Sequence, residues 1–299
     1  MKPNWSPCPW VVAGWLVLAS VAVASPGEAR QASPAQPPAA ADDGRTPAAQ
    51  PTASDADLTP DPAQPDFTLI GLPTTLRIAN HKSAFRVTHR FTRPLGAGTF
   101  GSLVEDFFGF DAGALIGLEY RFGLRPGTQV GIHRTSDRTI EFFGQHELLS
   151  QDDGRPLSLN VWVSVEGLDN FREEYSPALG AILSRKVGLR GALYLQPIWI
   201  GNTNPLPDAL AAEDDTLIVG VGTRLRIGRT VYVVAEMAPR VGHDPGVMHG
   251  SVALEKRVGG HSFQLNFSDS FGTTIGQIAR GGFDESDWYI GFNISRKFY

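Results

Sequence analysis

The 299-residue chain carries a single cysteine, Cys8. That excludes a disulfide framework and any zinc site built on paired cysteines. Cys8 precedes the apolar stretch at residues 10–23, so it cannot be the acylated first residue of a mature lipoprotein. A strong charge of one sign is also lacking. Lys and Arg number 26 against 31 Asp and Glu, a formal net charge of −5, which offers nucleic acid no basic surface. Beyond the N-terminal stretch there is no apolar run of about 20 residues such as a membrane-crossing helix needs. Mean hydropathy is slightly negative, −0.11. What the chain does have is 33 glycines and 10% aromatics, a composition suited to strands that bend and meet a lipid interface.

The N-terminus has the parts of an export signal. Lys2 supplies a positive start, residues 10–23 an apolar core, and Ala22-Val23-Ala24 a small-x-small cleavage site ahead of Ser25. Residues 1–24 are therefore expected to be a cleaved signal peptide. Residues 25–66 are rich in Pro, Ala, Gln and Asp and nearly without large apolar side chains. Such a segment cannot bury enough surface to offset its ordering entropy, so a disordered periplasmic linker is expected. Residues 67–299 are expected to form one domain, with 67–78 as a short strand or a segment entering its mouth.

That domain has a period of two. In residues 111–122, Ala112, Ala114, Ile116, Leu118, Tyr120 and Phe122 alternate with Asp111, Gly113, Leu115, Gly117, Glu119 and Arg121. Side chains of a strand point to opposite faces with this period, so one face is apolar and the other small, polar or charged. Residues 157–166 and 216–226 repeat the pattern. About a dozen such runs follow one another, joined by turns that alternate short and mostly long. The implied fold is all-β: a single-chain antiparallel transmembrane β-barrel of about 12 strands with up-and-down topology. A soluble sandwich also alternates, but its strands average five or six residues, and these runs approach ten. Aromatics gather toward strand ends as two interfacial girdles: Phe91, Tyr175, Trp199 and Trp288 above, Tyr120, Phe122 and Phe298 below. The chain stops just after an amphipathic strand containing Trp288, Ile290, Phe292, Ile294 and Phe298, interrupted by Arg296. A terminal aromatic strand resembles the signal read by the outer-membrane assembly machinery. The expected location is thus the bacterial outer membrane, with its lipid and lipopolysaccharide as surroundings.

The stretch 85–202 resembles an uncharacterised family of predicted bacterial outer-membrane barrels, a domain of unknown function. The resemblance is carried by FRVTHRF from Phe85 to Phe91, FFGFD from Phe107 to Asp111, and VGIHRTS from Val130 to Ser136. It implies a barrel and brings no activity, cofactor or ligand with it.

Three constellations bear on chemistry. Gly96-Ala97-Gly98-Thr99-Phe100-Gly101 has the letters of a dinucleotide fingerprint, but that motif needs a helix opening after it and a returning parallel strand, neither of which is expected here. His249 and Ser251 share one strand face, and Glu236 lies on the polar face of the neighbouring strand. These are the parts of an activated nucleophile, as an outer-membrane lipid hydrolase would use; they are equally ordinary polar filler. The acidic clusters Glu173-Glu174, Asp214-Asp215 and Asp284-Glu285-Asp287, and His243-Asp244, read as solvated loop charge, and no metal site, cofactor or catalytic residue is assigned. The lumen set comprises Arg86, Arg90, Glu119, Arg121, Glu141, Glu147, Glu166, Arg185, Arg190, Arg224, Arg226 and Glu236. Opposed charges inside a barrel either line a narrow polar passage or pair to close it. The first reading is a porin-like passage for small polar solutes or ions, without enzymatic activity. The second is a closed-lumen structural or interaction barrel. The third is a lipid hydrolase using His249 and Ser251.

Overall fold

A computed structural model of the chain describes residues 61–110, 113–206, 213–243, 246, 248–281 and 287–298. The expected signal peptide and all of the expected linker before Asp61 lie outside these residues, as do Asp244, Asp284, Glu285 and Tyr299.

Twelve strands form one closed antiparallel barrel: β1 (Ser83–Phe91), β2 (Ala114–Arg125), β3 (Thr128–Thr135), β4 (Ile140–Leu149), β5 (Ser158–Gly167), β6 (Glu173–Lys186), β7 (Gly191–Ile200), β8 (Thr216–Arg226), β9 (Val231–Ala238), β10 (His249–Val258), β11 (His261–Ser268) and β12 (Tyr289–Phe298). Each pairs with its neighbour in sequence, and β12 returns to pair with β1, with Val87 opposite Ile294. After Pro239, which has no N–H to give a ladder, β9 resumes as Arg240–Gly242 and continues its pairing with β8. The expected up-and-down barrel is therefore the observed one. The connections have two kinds: tight turns at one end, such as 126–127 and 259–260, and longer loops at the other, such as 92–113 and 269–288. These ends are called the short-turn end and the loop end below.

The alternation sorts side chains as a membrane barrel requires, apolar outward and polar inward. On β2, Ile116, Leu118 and Tyr120 are exposed on the outside while Glu119 and Arg121 are buried within. On β8, Leu217, Val221 and Leu225 face out, and Ile218, Gly220, Gly222 and Arg224 face in. Most of the aromatic girdle is exposed as expected, with Tyr120, Tyr175, Trp199, Trp288 and Phe298 each accessible. Phe91 is the exception. It lies on the outward parity of β1 but is covered by Phe110 of the following loop, 4.4 Å away ring to ring, and flanked by His89.

The main departure from expectation is inside. Residues 61–82 run through the lumen: 67–78 is the expected segment entering the mouth rather than a short strand, and 61–66, expected as linker, belong to the same packed segment. From Ala63 to Thr75 every residue is buried. The segment enters at the short-turn end, turns back at Ile70-Gly71, and returns to Ser83 at the start of β1. Within the turn Leu69 N–H donates to the Leu72 carbonyl, and Thr74 N–H donates to that of Phe67, so 67–74 forms a hairpin. From the loop end a short helix, α2 (Ile275–Arg280, preceded in sequence by α1, Phe100–Glu105), descends to meet it. Thr274 and Gln277 form a capping box that starts α2. Its Ile275, Ile278 and Ala279 join a core with Leu69, Ile70 and Leu72 of the hairpin and with Ile198, Ile218 and Val234 of the wall.

Candidate functional site: a lumen built around a main chain

The wall holds the hairpin mainly by its backbone. Strand residues on inward parity reach it from nearly every side. Arg224 (β8) donates to the carbonyl of Thr68 at 2.7 Å, Gln264 (β11) to that of Leu69 at 2.9 Å, and Asn293 (β12) to that of Ile70 at 3.0 Å. Arg86 (β1) also donates to the Ile70 carbonyl, at 3.2 Å. On the returning limb, Gln196 (β7) donates to Pro73 at 2.7 Å, Gln145 (β4) to Thr74 at 2.8 Å, Asn160 (β5) to Thr75 at 3.4 Å and Gln129 (β3) to Leu76 at 3.1 Å. The Leu72 carbonyl is taken by Leu69 within the turn.

At the tip the polarity reverses. Glu236 (β9) accepts from the main-chain N–H of Ile70 at 2.9 Å, Gly71 at 2.8 Å and Leu72 at 3.1 Å. A carboxylate facing three successive N–H groups makes charge-assisted hydrogen bonds, stronger than their neutral counterparts. Close packing at the tip depends on glycine. A Cβ on Gly71 would stand 2.8 Å from Cδ1 of Ile278 in α2. Gly222 and Gly220, two apart on the inward face of β8, leave slots for Leu69 and Leu72. A Cβ at either position would lie 2.2 Å and 2.9 Å from the respective leucine Cδ1.

Most of the remaining inward charges pair with one another. Arg86 and Arg121 both engage Glu119, each at 2.7 Å. Arg224 meets Glu255 at 2.9 Å with both side chains fully buried. Glu166 accepts from Thr274 and Arg280, tying α2 to β5, and Arg240 donates to the Ala279 carbonyl at 3.0 Å. Arg90 donates to Asn293 at 2.8 Å, and Glu147 pairs at 3.0 Å with Arg77 of the lumen segment. Beside the hairpin, between Arg86, Glu119, His133, Glu141 and Thr273, about 10 Å³ is left over. That is about the least space that holds one water molecule. Among the described residues, the hairpin and α2 fill the barrel interior here.

Most of the expected lumen residues are thus brought together: Arg86, Arg90, Glu119, Arg121, Glu141, Glu166, Arg224 and Glu236 all face inward and are buried. Three are not. Arg190 is exposed in the turn between β6 and β7, because β7 begins only at Gly191. Arg185 falls on the outward parity of β6 and is exposed near the short-turn end. Arg226, at the end of β8, folds onto the next turn and donates to the carbonyls of Gly228 and Arg229. The glycine-rich loop also departs from expectation. A six-residue helix, α1, does open after it, capped by Thr99, although every strand pairing remains antiparallel.

His249 lies 3.2 Å from both Glu236 and Asp269, and register sets Ser251 opposite Glu236. The Ser251 hydroxyl donates to Ser268 at 2.7 Å, closer than its 3.5 Å approach to His249. Glu236 meanwhile spends its carboxylate on the hairpin, and the group is buried beneath the hairpin and α2. The amide donors Gln129, Gln145, Asn160, Gln196, Gln264 and Asn293 escape sequence reasoning. Their only signal is inward parity, which any lumen filler shares.

The family described as a membrane bound beta barrel domain (DUF5777) matches residues 66–298. The chain belongs to that family. The match is wider than the 85–202 stretch that carries the resemblance in sequence, and it begins inside the lumen hairpin's entry limb. No curated protein matches the chain. Among solved structures, the NanC porin is similar over 73% of this chain and 99% of its own, with 7% identity and a TM-score of 0.49. Outer membrane phospholipase A from Escherichia coli matches over 73% and 90%, with 9% identity and a TM-score of 0.40. The outer membrane channel DcaP of Acinetobacter baumannii matches over 73% and 72%, with 11% identity and a TM-score of 0.34. Likeness at these levels says nothing of what this membrane-bound barrel does.

Proposed function

We propose that the chain is a bacterial outer-membrane barrel, exported by a cleaved signal peptide, whose narrow polar passage is closed at rest by its own residues 61–82. Small polar solutes or ions cross when that segment withdraws toward the short-turn end, which faces the periplasm. One observation carries this reading. Up to Asn80 the lumen segment makes no main-chain-to-main-chain hydrogen bond to the wall among the described residues, and side chains hold it; only His81 and Lys82 join the ladder, through Gly123 of β2. A ladder must break as a unit, whereas side-chain bonds to a main chain can be exchanged for water one at a time. The wall it would uncover offers a polar side chain on every strand, beside an apolar patch at Ile198, Ile218 and Val234. The chain is read as non-enzymatic, with His249 and Ser251 as polar filler beside Glu236.

The capping of the tip by α2 favours a second reading, a permanently closed interaction barrel. Single-channel recording separates the two. Thr75 and Ser184 touch through their hydroxyls, so Thr75→Cys with Ser184→Cys, in a Cys8→Ser background, locks the segment to β6. The expected result is silence when oxidised and discrete openings when reduced. Silence in both states, from protein demonstrably folded and inserted, favours the closed barrel.

A further inference from the structure

The lumen is fitted to a peptide backbone, more closely than closing a barrel requires. Wall charges that need only neutralising pair with one another, as Arg224 does with Glu255. The amides do something different. Gln129, Gln145 and Gln196 each donate to a main-chain carbonyl of the segment, and each amide oxygen has no protein partner among the described residues. An amide has two donors and an acceptor oxygen, and the one bond that each of these three side chains makes here goes to the occupant's main chain. The carbonyls are met nearly one per residue, and Glu236 takes the three N–H groups at the turn. This is sequence-tolerant recognition, since every peptide offers the same groups. Side-chain selection enters at the slots over Gly220 and Gly222, which admit two aliphatic side chains three residues apart, and at the contacts of Asp66, Thr68 and Thr75 with Ser295, Arg86 and Ser184.

We propose that the lumen is a binding site for a peptide main chain, filled at rest by residues 66–76 and open to an extended peptide, with two aliphatic side chains at the slots, supplied in trans. The proposal rests on the withdrawal of the lumen segment argued above and names the class of ligand the passage takes. An ion or a sugar would leave the regular spacing of the amides and the paired slots unused. A peptide of about nine residues uses both.

The probe is a fluorescein-labelled synthetic peptide of residues 66–76, compared with the same peptide N-methylated at Ile70, Gly71 and Leu72. The protein is the full chain bearing Gly71→Val, which crowds Ile278 and unseats the resident tip while leaving the wall intact. Retained folding is checked by heat-modifiable migration, and withdrawal by protease cleavage within residues 66–76. Saturable binding is expected in fluorescence anisotropy, at least tenfold weaker for the N-methylated peptide and lost when Thr75→Cys and Ser184→Cys lock the segment in place. Equal affinity for the two peptides, or no binding although the segment is cleaved, overturns the peptide site and leaves the channel reading to be judged by conductance. Should Gly71→Val fail to fold, Gly71→Ala, whose single Cβ already crowds Ile278 and leaves both slots open, serves in its place. Protection of residues 66–76 in every folded variant overturns both readings, because the segment is then permanent core.

Discussion

Replacing Glu236 with Gln tests the grip on the hairpin tip with the least change of shape. Its two carboxylate oxygens accept three main-chain N–H groups, from Ile70, Gly71 and Leu72. A glutamine keeps one acceptor and turns an NH2 toward groups that can only donate. Hydrogen bonds to a charged partner contribute about 1.5–3 kcal/mol each, but three bonds sharing one carboxylate are not additive. A net loss of about 3 kcal/mol is the working value, set below the additive sum of about 4.5–9 kcal/mol. At about 1.4 kcal/mol per factor of ten, the withdrawn state becomes roughly 100-fold more populated. Hydrogen exchange followed by mass spectrometry reads that population where exchange proceeds through local opening. In Glu236→Gln the amides of residues 68–74 are expected to exchange about 100-fold faster, while those of β5 keep the parental rate. His249→Gln, which removes the neighbouring ring and leaves the carboxylate, should stay within about threefold of the parent. If Glu236→Gln also stays within about threefold, Glu236 is not what holds the tip and the reasoning fails.

Other expectations are more quickly stated. Arg224→Met leaves Glu255 buried without its partner, at a cost of about 3–5 kcal/mol. The temperature of heat-modifiable migration should fall, and Arg224→Met with Glu255→Gln should recover most of the loss. Arg190→Ala should leave the conductance of the reduced, unlocked barrel unchanged, because Arg190 lies in an exposed turn; a shift in conductance would place it in the passage after all. Purified protein should not hydrolyse phospholipid, and Ser251→Ala should be indistinguishable from the parent in that assay. Hydrolysis abolished by that substitution would restore the enzyme reading.

The barrel itself was legible because its signal is periodic and redundant. Ile116, Leu118 and Tyr120 against Glu119 and Arg121 is a local statement about two faces, and a dozen such statements agree. Parity also found Glu119, Arg121, Arg224 and Glu236 at once. It failed for Arg190, where a strand starts two residues later than the alternation suggests, and for Arg226, where a strand end can turn its side chain to the nearest loop carbonyl. The lumen segment was harder to find for a different reason. Its grip is through main-chain groups, which every residue has, so nothing in the letters from Asp61 to Leu76 marks them as the occupant of a site. Gly220 and Gly222 show in the sequence only as small residues on the inward face, when their use is to leave room for Leu69 and Leu72. The helix Ile275–Arg280 is too short to show a period.

The carbonyl of Ile70 receives Arg86 from the first strand and Asn293 from the last. Those two strands form the seam at which the cylinder shuts. One atom of the occupant therefore clasps both lips of that joint. Linkage makes the coupling mutual: whatever favours the clasped hairpin favours the sealed seam by the same free energy. The segment that fills the barrel is thus also a tie across the joint at which the barrel closes.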